Sequence, residues 1–181
     1  MVEVIRLPSV AAVVPTYNRR EKTLRFLTIA LTQTYPRLTV IVVDAASADG
    51  TAEAVQQQFP QVVLLTTSDR DYWSATVNVG VRYALTHGFD YILTIYDDSV
   101  IEPDHLERLV ALAERRQLKI LGNRIDYLAQ PGQIWALGTY IRWGTQDFLG
   151  WPTVIPTSGI CRWRCGGRMR SRQTPYPVMA S

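Results

Sequence analysis

The chain has 181 residues, 47% of them apolar, enough to bury a sizeable core as one domain. Its formal charge of +3 conceals an asymmetry: all 16 acidic residues lie at or before Asp147, while Arg162, Arg164, Arg168, Arg170 and Arg172 fall beyond it, so the body carries about −2 and the tail +5. No apolar run of about 18 residues is present to cross a bilayer, the opening Met1-Val2-Glu3-Val4-Ile5-Arg6 does not resemble a signal peptide, and five aperiodic arginines are too few to point to nucleic acid; cytoplasmic residence is the expectation, with peripheral attachment at the inner membrane face as its variant.

Strand and helix signals alternate over the first 120 residues. Residues 10–14 are apolar and β-branched, a strand ended by Pro15, and Asn18 with Glu21 three positions later has the spacing of a capping box. Leu24, Leu27 and Leu31 then share one helical face. A second strand over residues 38–43 ends at Asp44, followed by a small polar loop at 45–50 and a helix over 51–59. Residues 62–65 make a third strand. Val77, Val81 and Leu85 mark a helix that stops at Gly88, which suits the left-handed position after a helix. Residues 91–96, Tyr-Ile-Leu-Thr-Ile-Tyr, read as a strand covered on both faces, and Pro103 opens a helix with Leu106, Leu109, Val110 and Ala113 inward. Such alternation predicts an α/β fold with right-handed crossovers and a mostly parallel sheet. Past Gln117 the pattern becomes α+β: residues 119–121, 133–137 and 139–143 read as short strands, the last two as a hairpin about Gly138.

The chemistry begins at Asp97-Asp98, which follow the apolar strand directly. Carboxylates there project beyond the carboxyl edge of the sheet, where open α/β sheets bind ligands, and one or two of them suffice for Mg²⁺ or Mn²⁺, which keep places for waters and substrate phosphates. The bland alternative is a solvated turn. Pro15-Thr16-Tyr17-Asn18-Arg19, Asp44 and Asp49-Gly50-Thr51 all fall at carboxyl ends of strands, so they converge with Asp97-Asp98 on one rim. That rim offers an aromatic ring, an acceptor, backbone amides and a cation site, which a nucleoside diphosphate requires. A dinucleotide-dependent oxidoreductase is disfavoured, since no Gly-x-Gly-x-x-Gly turn follows the first strand.

Four motifs in order, Val13-Val14-Pro15-Thr16-Tyr17-Asn18-Arg19, Val42-Val43-Asp44-Ala45-Ala46-Ser47-Ala48-Asp49-Gly50-Thr51, Asn78-Val79-Gly80-Val81-Arg82-Tyr83-Ala84-Leu85 and Tyr96-Asp97-Asp98-Ser99, resemble those of family 2 glycosyltransferases with the GT-A fold. The resemblance covers roughly residues 10–112. The Trp73-Ser74-Ala75-Thr76-Val77-Asn78 context looks most like members that move rhamnose or other hexoses onto cell-surface polysaccharides. It implies a GT-A Rossmann-like sandwich over residues 1–147, an irregular basic tail over 148–181, and transfer of a sugar from a nucleoside diphosphate sugar to a glycan or lipid-linked acceptor, inverting and metal-dependent. It further implies that Pro15, Thr16, Tyr17 and Asn18 belong to the nucleotide-sugar site, with Thr16 and Tyr17 lining the base pocket. Asp44 accepts from the base N–H, Asn78 joins the site, Asp97 faces the ribose and Asp98 binds Mg²⁺ or Mn²⁺. The family's Asp-x-Asp pattern reads Tyr96-Asp97-Asp98 here, so its first carboxylate is absent.

Other residues carry two readings each. Arg70 reaches a diphosphate or makes a surface ion pair; Trp73 stacks on the ligand or anchors the following helix; Asp49 serves the ligand or caps a helix. His87 and His105 read as structural, and the spacing of Cys161 and Cys165, with no second pair, gives no zinc site or disulfide. The family's acceptor-side base is a carboxylate, and only Asp126 and Asp147 remain as candidates, neither in a recognisable motif. The catalytic base is therefore unassigned, and a catalytically silent remnant that binds nucleotide-sugar is the alternative to an active transferase. Residues 151–181 have the composition of an out-of-frame translation of GC-rich DNA or of a poorly ordered basic extension, alternatives that resequencing separates.

Overall fold

Seven consecutive residues, Val-Ala-Ala-Val-Val-Pro-Thr, form strand β1 (Val10–Thr16), and every one is buried, as expected of a strand with helices over both faces. It is the centre of the computed structural model, which describes residues 6–130 and 132–136 and the segments Tyr140–Ile141, Leu149–Gly150 and Arg162–Cys165. β2 (Leu38–Asp44) pairs parallel with β1, β3 (Val63–Thr66) with β2, and β4 (Tyr91–Thr94) with the other side of β1, giving the order β3-β2-β1-β4. The register sets Thr16 beside Asp44 and Asp44 beside Thr66, so three carboxyl ends finish level.

The period of two in β1 divides its side chains between two cores. Ala12 and Val14 meet Phe26 and Leu27 of α1 (Arg20–Ala30) and Val55 of α2 (Thr51–Gln58). Ala11 and Val13 meet Val77 and Ala84 of α3 (Trp73–Thr86) on the opposite face. A third group joins Leu106 and Val110 of α4 (His105–Arg116) to Val10 and Tyr35. α3 lies close on the sheet because Gly80 has no side chain: a Cβ there would stand 2.5 Å from Val13 Cγ1 and 2.9 Å from Val43 Cγ2. Gly88 ends the helix region with φ +69°, as expected from the sequence.

Several boundaries differ from the sequence reading. The strand expected over 91–96 stops at Thr94; Ile95 still donates its amide to Val13 O, at 3.1 Å, and the chain then leaves the sheet before Asp97. A short strand, β5 (Ser99–Ile101), follows where the sequence reading placed no element. Residues 119–121 do not form a strand: they have no ladder partner among the described residues, and Ile120 is 93% exposed. The strand comes later, as β6 (Arg124–Tyr127). The hairpin expected about Gly138 turns on residues outside the described ones; among the described residues β7 (Ile134–Ala136) is antiparallel to β6, and β8 (Tyr140–Ile141) is antiparallel to β9 (Leu149–Gly150). Within the stretch read as an irregular tail from residue 148, the described residues are β9 and β10 (Arg162–Cys165), both strands. β10 lies between β5 and β6, with Trp163 in register with Ile101 and Ile125. Four residues are too few to display a period, and cross-strand backbone bonding needs none.

Candidate functional site

Two loops at the carboxyl end of the sheet are tied to each other before any ligand is considered. The β1 peptide at Thr16 accepts from the Ala45 amide at 3.0 Å. Asn18 sits at φ 49°, a left-handed geometry that Asn tolerates better than most residues, and its amide donates to Ser47 Oγ at 2.8 Å while its Oδ1 accepts from the Ala48 amide at 2.8 Å. Asn18 therefore does not cap α1, correcting the capping-box reading. That cap comes from Asp49 of the other loop, whose Oδ2 accepts from the Arg20 amide at 3.0 Å and whose Oδ1 accepts from the amide of Thr51 at 3.1 Å and from its hydroxyl. These bonds, led by the Thr51 hydroxyl, hold the Asp49 carboxyl below its usual pKa range.

Asp44 is buried at the end of β2 and folds back on its own loop, accepting from Ser47 N at 2.9 Å and from Ser47 Oγ at 2.5 Å. Lone pairs remain on both oxygens for a further donor. Asp97 is also buried, its carboxyl turned inward: Thr23 Oγ1 donates to Oδ2 at 3.0 Å and Thr16 Oγ1 at 3.2 Å, and the two hydroxyls are 2.7 Å apart. Burial pushes the Asp97 carboxyl above its usual range, with Arg19 pulling the other way. Asp97, expected to face the ribose, is thus an internal carboxylate fastened to β1 and α1. Thr16 lines the cleft with its residue but spends its hydroxyl on this network.

Asp98 is part-exposed and pairs with the guanidinium of Arg19, Nη2 to Oδ2, at 2.8 Å. The same guanidinium places Nε 3.2 Å from Asp97 Oδ1 without hydrogen-bond geometry, leaving that buried carboxylate oxygen with a charge contact alone. Arg19 thus spans both acids, a role the motif Pro15-Thr16-Tyr17-Asn18-Arg19 contained without announcing. Of the two neighbouring carboxylates only the part-exposed Asp98 presents its oxygens at the surface, the hard-oxygen donor type that suits Mg²⁺ or Mn²⁺. Among the described residues no group of three or more His, Cys, Asp or Glu side chains is placed to hold an ion.

Beside this pair opens a cleft of about 340 Å³ walled by Pro15, Thr16, Tyr17, Arg19 and Ala45 on one side and Asp69, Asp71, Tyr72, Trp73 and Thr76 on the other, with Tyr96 between. Trp73, half-exposed, stacks on Tyr96 with ring centroids 5.5 Å apart and planes 18° from parallel. It is a wall of the cleft and no buried anchor. Tyr17 and Tyr72 are exposed aromatic neighbours. Sequence reasoning missed Asp69, Asp71, Tyr72 and Tyr96. Tyr96, at the position of the pattern's absent first carboxylate, offers a ring there instead. Arg70 and Asn78 are exposed and off the cleft wall, and Arg70 makes no ion pair among the described residues. Of the base candidates, Asp126 is buried on β6 and bound to Arg124 Nε at 2.6 Å, while Asp147 lies outside the described residues. His87 stacks on Tyr83 and bonds its carbonyl at 2.8 Å, a structural role.

Among the described residues no helix is long and apolar enough to cross a membrane. Residues 11–172 match the model of the family described as Glycosyl transferase family 2. An undecaprenyl-phosphate mannosyltransferase of Micrococcus luteus is 29% identical over 146 residues, covering 78% of this chain and 56% of that protein. The succinoglycan biosynthesis protein ExoO of Rhizobium meliloti is 28% identical over 129 residues, covering 71% of this chain and 36% of that protein. The chain therefore spans between about a third and just over half of these relatives' length. A crystal structure of S. aureus TarS superposes with a TM-score of 0.60 at 20% identity, over 74% of this chain and 41% of that one. That likeness establishes the fold as the expected GT-A sandwich.

Proposed function

Because the chain belongs to glycosyl transferase family 2, we propose that its described part is the donor side of a glycosyltransferase, which takes a sugar from a nucleoside diphosphate to a glycan or lipid-linked acceptor. The observation that carries the reading is the convergence of the loops after β1, β2 and β4 on one rim, where an aromatic cleft adjoins the Arg19–Asp97–Asp98 cluster. Tyr17 and the Trp73–Tyr96 pair offer flat apolar faces for the base or the sugar. Asp44 offers an acceptor for a base N–H beside the cleft, next to Ala45 on its wall. Pro15, Thr16 and Asn18 hold the shape of that wall, Asp97 secures Asp98 from within, and Arg70 and Asn78 reach the ligand only from outside it. The name of the Micrococcus luteus relative supports a lipid-phosphate acceptor.

Departure of the nucleotide leaves negative charge on the diphosphate, and Asp98 would hold the Mg²⁺ or Mn²⁺ that supplies compensating positive charge there. The chain's own contribution is placement. The tied loops fix the cleft wall before binding, so less ordering is required on association. Inversion at the sugar carbon, rhamnose or another hexose as cargo, and attachment at the inner membrane face belong to the same proposal.

The experiment is calorimetric titration of UDP, dTDP and GDP with and without Mn²⁺. One nucleotide is expected to bind only with Mn²⁺, and Asp98→Ala is expected to abolish that binding while the fold persists. Unchanged binding in Asp98→Ala would remove the metal assignment; binding of no nucleotide by folded protein would sink the donor reading. A second reading, nucleotide binding without transfer, is favoured by the burial and ion pairing of Asp126, which leave it unsuited to deprotonate an acceptor. Release of sugar to an acceptor by the purified chain would decide against it.

A further inference from the structure

Arg19 pairs with both Asp97 and Asp98, and the three groups form one electrostatic unit. Its Nη2 stands 2.8 Å from Asp98 Oδ2, at the carboxylate that would ligate a divalent ion. Its side chain is about a third exposed and lines the wall of the cleft, so it has open volume to move into. Asp97, by contrast, has a fully buried side chain and is pinned by Thr16 and Thr23. An incoming cation and the guanidinium want the same oxygens, and two cations a few ångströms apart repel.

We propose that Arg19 is an internal counter-cation that competes with the divalent ion for Asp98, so that the site takes up the ion poorly unless an anionic ligand in the cleft draws the guanidinium away. This rests on the donor-site reading above and adds a positioning residue that controls the order of loading. Without ligand, Arg19 offsets one of the two negative charges of the acid pair and stays in charge contact with the buried Asp97. With a diphosphate in the cleft, Arg19 gains a second anion within reach of its wall position, and the loss of the Asp98 pair is offset. Ion and nucleotide then bind with positive coupling, and the coupling is reciprocal.

The test measures Mn²⁺ alone, by the electron paramagnetic resonance signal of the free ion, on the wild-type chain, Arg19→Met and Asp98→Asn. Arg19→Met is expected to bind Mn²⁺ roughly tenfold more tightly than wild type, and Asp98→Asn to lose Mn²⁺ binding. Since Arg19→Met leaves a buried carboxylate unpaired, Arg19→Lys is the companion variant: one ammonium cannot span both acids as the fork does, and a smaller tightening is expected with the fold retained. If Asp98→Asn abolishes binding but neither Arg19 variant tightens it, the competition is overturned and the donor reading stands. If Mn²⁺ binds none of the variants nor wild type, with or without UDP, dTDP or GDP, the metal assignment falls and the competition falls with it.

Discussion

Asp49 accepts hydrogen bonds from the first amides of two different helices, Arg20 of α1 and Thr51 of α2. Asp49→Ala strands both donors, and a loss of about 1–2 kcal/mol is expected in urea unfolding at neutral pH. Because the folded-state pKa of Asp49 lies below its ordinary 3.8, the charge-dependent part of this stabilisation is complete above 3.8 and is lost as the pH falls through the folded value. The gap between wild type and Asp49→Ala should therefore narrow on acidification below that point, and an unchanged gap would assign the effect to shape alone. Such residue-level partnerships were only partly legible in the sequence. Asp49 read as a cap, but nothing along the chain shows that it also serves a helix 29 positions earlier. Arg19 stood inside a recognised motif, yet its bridge to Asp97 and Asp98 exists only once α1 and the turn after β4 are brought together. Trp73 could not be placed, because exposure depends on what faces a ring, and its partner Tyr96 lies 23 residues further on.

The helix α3 owes its seat on the sheet to one glycine. Gly80→Ala inserts a methyl group 2.5 Å from Val13 Cγ1, inside the fully buried centre of β1. Overpacking of this kind costs about 1–3 kcal/mol, and thermal unfolding of Gly80→Ala should show it although alanine is the better helix former. A neutral or stabilising outcome would mean that α3 can lift from the sheet at little cost. Elements with a clear period or composition were read correctly: β1 and β2 by their mostly apolar, β-branched composition, α4 by Leu106, Leu109, Val110 and Ala113 at helical spacing. Those missed were decided by partners. Residues 119–121 have the composition of a strand but no edge to join among the described residues, whereas Arg124–Tyr127 and Arg162–Cys165 pair with each other despite charged residues in both.

At the scale of the molecule, ligand binding and folding are linked, because only the folded rim assembles the loops after β1, β2 and β4. The nucleotide that binds with Mn²⁺ should stabilise the chain by about 2.7 kcal/mol at a concentration one hundred times its Kd, a rise in melting temperature of roughly 5–10 °C for a chain of this size. Asp98→Ala should melt near the unliganded temperature at the same concentration. The parallel sheet was legible as a whole because strand and helix signals alternate, and so was the convergence of the rim loops; the direct bonding between the two loops placed side by side was not, since it follows from the register of β1 on β2. That placement has a further consequence for motion. The amides of Asn18 and Ala48 lie in loops and those of Arg20 and Thr51 open helices, positions that would ordinarily trade their hydrogens with solvent within moments, yet each is engaged by a side chain of the same two segments. Residues 18–20 and 47–51 should therefore open as one unit, and their deuterium uptake should be slow and shared, an island of rigidity on a surface where loops usually drift.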